Sequence, residues 1–108
     1  MTVSVREDEM IQVRLVFHCK WGKAGDVANL MSEGISAMAE SMGAHRVSVL
    51  TDLSGPFHRV VQEIEVENLA EWEASRAKAF QHPEFLRSQE KMAEMIVSGS
   101  AEFYTIEY

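Results

Sequence analysis

The run Asn68-Leu69-Ala70-Glu71-Trp72-Glu73-Ala74-Ser75-Arg76-Ala77-Lys78-Ala79-Phe80-Gln81-His82-Pro83-Glu84-Phe85 decides how this chain reads. Asn68 is a good helix N-cap, and Glu71 follows three positions later, the spacing of a capping box. Leu69, Trp72, Arg76, Ala79 and Phe80 recur at helical spacing, so the large apolar groups fall on one stripe. Pro83 interrupts the run, since it cannot donate to the helical ladder. A second amphipathic segment, Pro83 to Val97, is predicted after it, with Phe85, Gln89, Met92, Ala93 and Ile96 on its inner face. A strand enters this broken helix and another leaves it, the pattern of a helix laid across a sheet.

Upstream, Met10 to Cys19 alternates as a strand: Ile11, Val13, Leu15 and Phe17 point one way, and Gln12, Arg14, Val16 and His18 the other. Lys20 to Gly25 is a turn. A helix follows from about Asp26 to Met42, with Val27, Leu30, Met31, Ile35, Met38 and Met42 on one stripe, and Gly43 ends it. His45 to Thr51 and Phe57 to Val66 read as a hairpin around the turn cluster Asp52-Leu53-Ser54-Gly55-Pro56. Downstream, Ser98-Gly99-Ser100 reads as a turn into a last strand, Ala101 to Tyr108. Residues 1–9 form an acidic tail, and residues 10–108 one domain.

The element order is βαββαβ. Right-handed crossovers make that an α+β, ferredoxin-like fold: a four-stranded antiparallel sheet with both helices on one face. The other face is left bare. It carries Arg14 and Val16 from the first strand, and Phe57, Arg59, Val61 and Glu63 from the third. A surface mixing Val and Phe with Arg and Glu suits a second copy of itself better than open water. A two-fold pairing would bury the apolar groups and set Arg14 or Arg59 against Glu63. A homodimer is therefore expected.

Composition narrows the partners. With 108 residues, 46% apolar and 25% charged, the chain has the make-up of one soluble domain. The formal charge of −7 argues against nucleic acid and against anionic lipid. No apolar run approaches the roughly 20 residues of a membrane span, and Arg6-Glu7-Asp8-Glu9 stands where a signal peptide would need its apolar core. The single Cys19 allows no internal disulfide, which sets a reducing cytoplasm as the expectation.

The span from Met10 to Tyr108 resembles the dimeric α+β barrel group, and within it the NIPSNAP-like proteins. The likeness is carried by a strand, the turn Lys20-Trp21-Gly22-Lys23, a long helix, and a second helix broken at His82-Pro83-Glu84-Phe85. Here His82 stands for the usual Asp of that break, and Phe85 for the usual Trp. Antibiotic-biosynthesis-type monooxygenases share the layout. The resemblance implies a homodimer whose two sheets form a barrel, with a pocket between each sheet and its own helices. The haem-degrading relatives use an Asn, a Trp and a His where Leu15, Val66 and Gln89 stand here, so haem degradation is not expected.

On the helix-facing side of the third strand, His58 and Gln62 are polar residues among Val60, Ile64 and Val66. Buried there, each needs a partner. A neutral His58 imidazole in an apolar pocket would suit proton transfer or substrate orientation, although a position beside the hairpin turn suits solvation better. Trp72, at helical spacing, suits the core better than a ligand platform, although it can serve as one. Ser75 and Gln89 lie on inner helical faces, and Tyr104 and Tyr108 on the last strand offer hydroxyls to a pocket or pack on a partner sheet. The candidate pocket residues are thus His58, Gln62, Trp72, Gln89 and Tyr104.

No metal is expected, since His18, Cys19, His45, His58 and His82 match no zinc spacing. No cofactor is expected either, since the glycines form no phosphate-binding fingerprint. Three functions follow as expectations: binding of a small apolar molecule between sheet and helices, a cofactor-independent monooxygenase or isomerase, or a non-catalytic homodimeric interaction module. An enclosed cavity bounded by His58, Gln62, Trp72 and Gln89 separates the first two from the third.

Overall fold

The computed structural model describes residues 10–38, 46–53, 55 and 57–108. The elements run β1 (Ile11–Cys19), α1 (Ala24–Met38), β2 (Arg46–Thr51), β3 (Arg59–Val66), α2 (Leu69–Ala79), α3 (Pro83–Ala93) and β4 (Ile96–Thr105). All strand pairs are antiparallel, in the order β2-β3-β1-β4. This is the expected ferredoxin-like sheet, with β1 and β3 central because they carry the densest apolar alternation. The expected tail, the α1 end at Met42 and Gly43, His45, and the turn residues Ser54 and Pro56 lie outside the described residues.

The Asn68 cap forms as its residue type dictates. Asn68 has extended backbone, and its Oδ1 accepts the Glu71 N–H at 2.8 Å. Lys78 near the other end of α2 complements the helix dipole. The chain breaks at Gln81 and His82, and Pro83 opens α3 with its fixed φ.

β4 begins earlier than its composition suggests. The second segment ends at Ala93, which is exposed, and Ile96 already belongs to the strand. Ser98, Gly99 and Ser100, turn formers by type, pair with His18, Phe17 and Val16 of β1. Gly99 is required there by close approach. A Cβ on it would stand 3.2 Å from both Phe17 Cδ1 and the Val16 carbonyl oxygen. The bulge at His18/Cys19 lets the pairing run on to Ile96.

β3 starts at Arg59 rather than Phe57, because His58 has φ +60° and cannot continue a strand. Phe57 consequently leaves the bare face and packs on Trp21, with ring centroids 6.0 Å apart.

The core is divided. One cluster gathers Cys19, Val27, Met31, Val60 and Met92 beneath α1 and α3; the other gathers Val13, Ile64 and Val66 beneath Trp72. Phe17 belongs to the first and Leu15 to the second, so neighbouring inward positions on β1 serve different clusters. Helix α3 packs chiefly on α1, and α1 on β2 and β3, which leaves the β1–β4 half of the sheet loosely covered.

Candidate functional site

The gap between the two clusters is a cleft of about 470 Å³ rather than the enclosed cavity expected: it is partly open to solvent, and Arg76, Phe80, Gln89, Ala101 and Phe103 on its lining are exposed. Its floor is the inward side of β1, β3 and β4, with Leu15, Phe17, Gln62, Ile64, Ala101 and Phe103. Its roof comes from α1, α2 and α3, including Met31, Trp72, Phe80, Phe85 and Met92. Two edge-to-face ring pairs shape it: Trp72 with Phe103 at 6.3 Å, and Phe80 with Phe85 at 5.1 Å. The second pair spans the α2–α3 break, so Pro83 serves the cavity by turning Phe85 back toward Phe80.

The polar lining is sparse: Gln62 on the floor, and Ser75, Arg76, Ser88 and Gln89 on the helices, with Ser100 at the β4 edge. Ser75 is buried. The Arg76 guanidinium lies over the Phe80 ring, 5.7 Å from its centroid. Among the described residues lining the cavity, Arg76 alone carries a charge.

Of the candidate pocket residues, Gln62, Trp72 and Gln89 line this cavity, and His58 and Tyr104 do not. His58 is drawn away by long-range bonds. Its Nδ1 accepts the Gly22 N–H at 3.2 Å, its carbonyl accepts the Cys19 N–H at 2.8 Å, and its ring lies 4.4 Å from that of Trp21. It therefore clamps the Lys20–Lys23 turn to the start of β3. Tyr104 faces the other side of the sheet by strand parity, since Phe103 faces inward. Its hydroxyl donates to Glu102 Oε1 at 2.7 Å, and that bond holds its pKa above the ordinary tyrosine value. Phe80, Phe85, Phe103 and Arg76 complete the site. Of these, the 72–76–80 spacing on α2 points to Phe80 and Arg76.

Arg14, Val16, Arg59, Val61 and Glu63 share the outward face, opposite in parity to Leu15 and Gln62. Val16 and Val61 face each other at its centre and are only 7% and 5% exposed, so side chains of the same protomer already shelter them. Arg14 lies 4.0 Å from Glu63 and Arg59 3.5 Å from Asp52 within one protomer, yet the buried Nε atoms of both arginines make no hydrogen bond among the described residues. Leu50 and Tyr104 remain 43% and 50% exposed on this face.

Among the described residues, no three His, Cys, Asp or Glu gather as a metal site, and no helix is long and apolar enough to cross a membrane. Cys19 is buried beneath α1; burial, and then the Asp52 carboxylate, push its thiol pKa up.

The NIPSNAP family model matches residues 12–106, from the second residue of β1 to just past β4. The chain belongs to the NIPSNAP family. A NIPSNAP family protein from Agrobacterium tumefaciens superposes with a TM-score of 0.76 at 16% identity, covering 88% of this chain and 90% of that one. A dimeric protein of unknown function and ferredoxin-like fold from Bacteroides fragilis gives 0.72 at 18%, covering 90% and 96%. A putative antibiotic biosynthesis monooxygenase from Nitrosomonas europaea gives 0.74 at 14%, covering 92% and 91%. At these identities the superpositions establish a shared fold. No curated protein matches the chain in sequence.

Two local features of this NIPSNAP chain follow from its own residues. The Lys20-Trp21-Gly22-Lys23 turn is secured by Gly22 at φ +74° and by the His58 acceptor. At the helix break, His82 stands where an Asp would cap α3, and its side chain makes no capping bond. Pro83 and the Phe80–Phe85 contact define the break instead.

Proposed function

We propose that this NIPSNAP protein works as a homodimer that binds a small apolar molecule between its sheet and its helices. The cleft of about 470 Å³ carries the reading. Its size falls in the range of small-molecule sites, its walls are mainly aliphatic and aromatic, and a few polar groups converge on it. An interaction module would have used the same side chains to fill the core. The described lining holds no His, Cys or carboxylate, which favours binding over acid–base catalysis by a monooxygenase or isomerase. The outward sheet face, with Leu50 and Tyr104 exposed, and the dimeric description of the Bacteroides fragilis relative support the pairing.

Native mass spectrometry of the purified protein, with calorimetric titration of 2-naphthylmethanol, tests both parts. The expected particle has twice the 12.2 kDa chain mass, and the alcohol binds saturably. Ala101→Trp, which fills the floor at an exposed strand position, abolishes binding while circular dichroism stays unchanged. A lone 12.2 kDa species overturns the dimer. Binding that is absent, or unaffected by Ala101→Trp, overturns the pocket.

A further inference from the structure

We infer that the cavity's ligand is amphipathic, with a ring-sized apolar body and a carboxylate head, and that Arg76 holds the head. The inference rests on the binding reading above and names its ligand class.

Trp72 and Arg76 on α2 and Phe80 at its C-cap follow at four-residue intervals, so they share one face, and all three line the cavity. Two members of this stripe are aromatic and serve the cavity wall. The cation between them stands at the exposed rim of the wall, in the last turn of α2, where it also complements the helix dipole.

The chain has 17 acidic against 10 basic residues, so carboxylates are abundant. Arg14, Arg46 and Arg59 each face one, within 4.0 Å. Glu73 stands three residues before Arg76, a distance that permits a helical ion pair. Yet among the described residues Arg76 has no carboxylate partner within 4.0 Å, and its guanidinium carbon lies over the Phe80 ring, 5.7 Å from the centroid. A cation–π contact at that distance is electrostatic and does not occupy the hydrogen-bond donors of the guanidinium.

The chemistry of that edge selects the head group. A guanidinium fork matches one carboxylate with two parallel hydrogen bonds. A single cation balances a single negative charge, and in a protein of net charge −7 a dianion such as phosphate would remain uncompensated. Ser75 and Gln89 stand along the same lining and offer further donors. The body is selected by the walls. Trp72, Phe80, Phe85 and Phe103 present ring faces and edges around the void, and Gln62 on the floor can hydrogen-bond the far end.

The test is a matched pair, 2-naphthoate and 2-naphthylmethanol, titrated into the full chain and into Arg76→Gln and Arg76→Lys. Arg76 is exposed on α2, so both variants keep the fold, which circular dichroism verifies. The wild type should bind the acid roughly tenfold or more tightly than the alcohol, as charge-assisted hydrogen bonds warrant. Arg76→Gln should bring the two together by weakening the acid alone. Arg76→Lys should fall between, because it keeps the charge and loses the fork. Equal affinities in the wild type, with the alcohol still bound, overturn the carboxylate assignment and leave the pocket standing. A preference for the acid that survives Arg76→Gln overturns it as well. Failure of both ligands to bind removes the pocket and this inference together.

Discussion

The indole of Trp72 stands edge-to-face to the ring of Phe103, with centroids 6.3 Å apart, and so ties α2 to the edge strand β4 across the cavity. Few other contacts join these two elements, because α3 leans on α1 and the β1–β4 half of the sheet is thinly covered. The pair should therefore be coupled in stability. In a double-mutant cycle of Trp72→Leu and Phe103→Leu, urea unfolding should give a coupling of about 1 kcal/mol. Additive effects would mean that the rings meet without holding the helix.

The Asn68 cap supports the helix that carries both Trp72 and Arg76. Asn68→Ala should lower stability by about 1 kcal/mol, and Asn68→Gly by only a few tenths of that. Asn68→Asp keeps the acceptor and should be close to neutral. Urea midpoints at constant slope read all three, and equal losses for Ala and Asp would show that the bond to Glu71 N–H contributes nothing.

Gly99 is a strand glycine fixed by its neighbours. Gly99→Ala places a methyl group 3.2 Å from a backbone oxygen that cannot withdraw and from the Phe17 ring. A loss of about 1–3 kcal/mol is expected from overpacking. Phe17→Leu should recover part of that loss when combined with Gly99→Ala, because the ring is the half of the clash that can yield. Thermal unfolding of the single and double variants checks this.

Cys19 couples stability to alkaline pH. Its folded pKa lies above the ordinary value of 9.0, because burial and then Asp52 disfavour the thiolate. The unfolded chain ionises first as pH rises past 9.0. Above that point the unfolded state holds fewer protons than the native one, and stability falls. The urea midpoint should decline more steeply above pH 9 in the wild type than in Cys19→Ala. At pH 8 the native thiol should react with a disulfide reagent more slowly than the unfolded one, and Asp52→Asn should quicken it.

Reading the chain alone succeeds where local chemistry is decisive. The period of two along β1 and β3 sorts Arg14, Val16, Val61 and Glu63 from Leu15, Gln62 and Ile64 without any structure. The Asn68 cap and the Pro83 break likewise fix α2 and α3, because capping and the missing proline N–H act within a few residues. It fails where a distant partner overrules local preference. Ser98-Gly99-Ser100 has turn composition, yet becomes strand because β1 offers a full ladder and Phe17 needs a bare backbone beside it. His58 has the right parity for the cavity but is turned to φ +60° by its bonds to the Lys20–Lys23 turn.

Sequence by itself determined the order of the elements and the inward parity of β1 and of β3 from Arg59 onward, since both follow from periodicities of the chain; it misplaced His58, Tyr104 and Ala93. Only the tertiary structure decided that the inward residues leave a void. A cavity depends on how far α2 and α3 stand off β1 and β4, and that distance is set by packing between side chains far apart in sequence. The same packing set the Arg76 guanidinium over the Phe80 ring, at 5.7 Å from its centroid, and made it the one charge among the described lining residues.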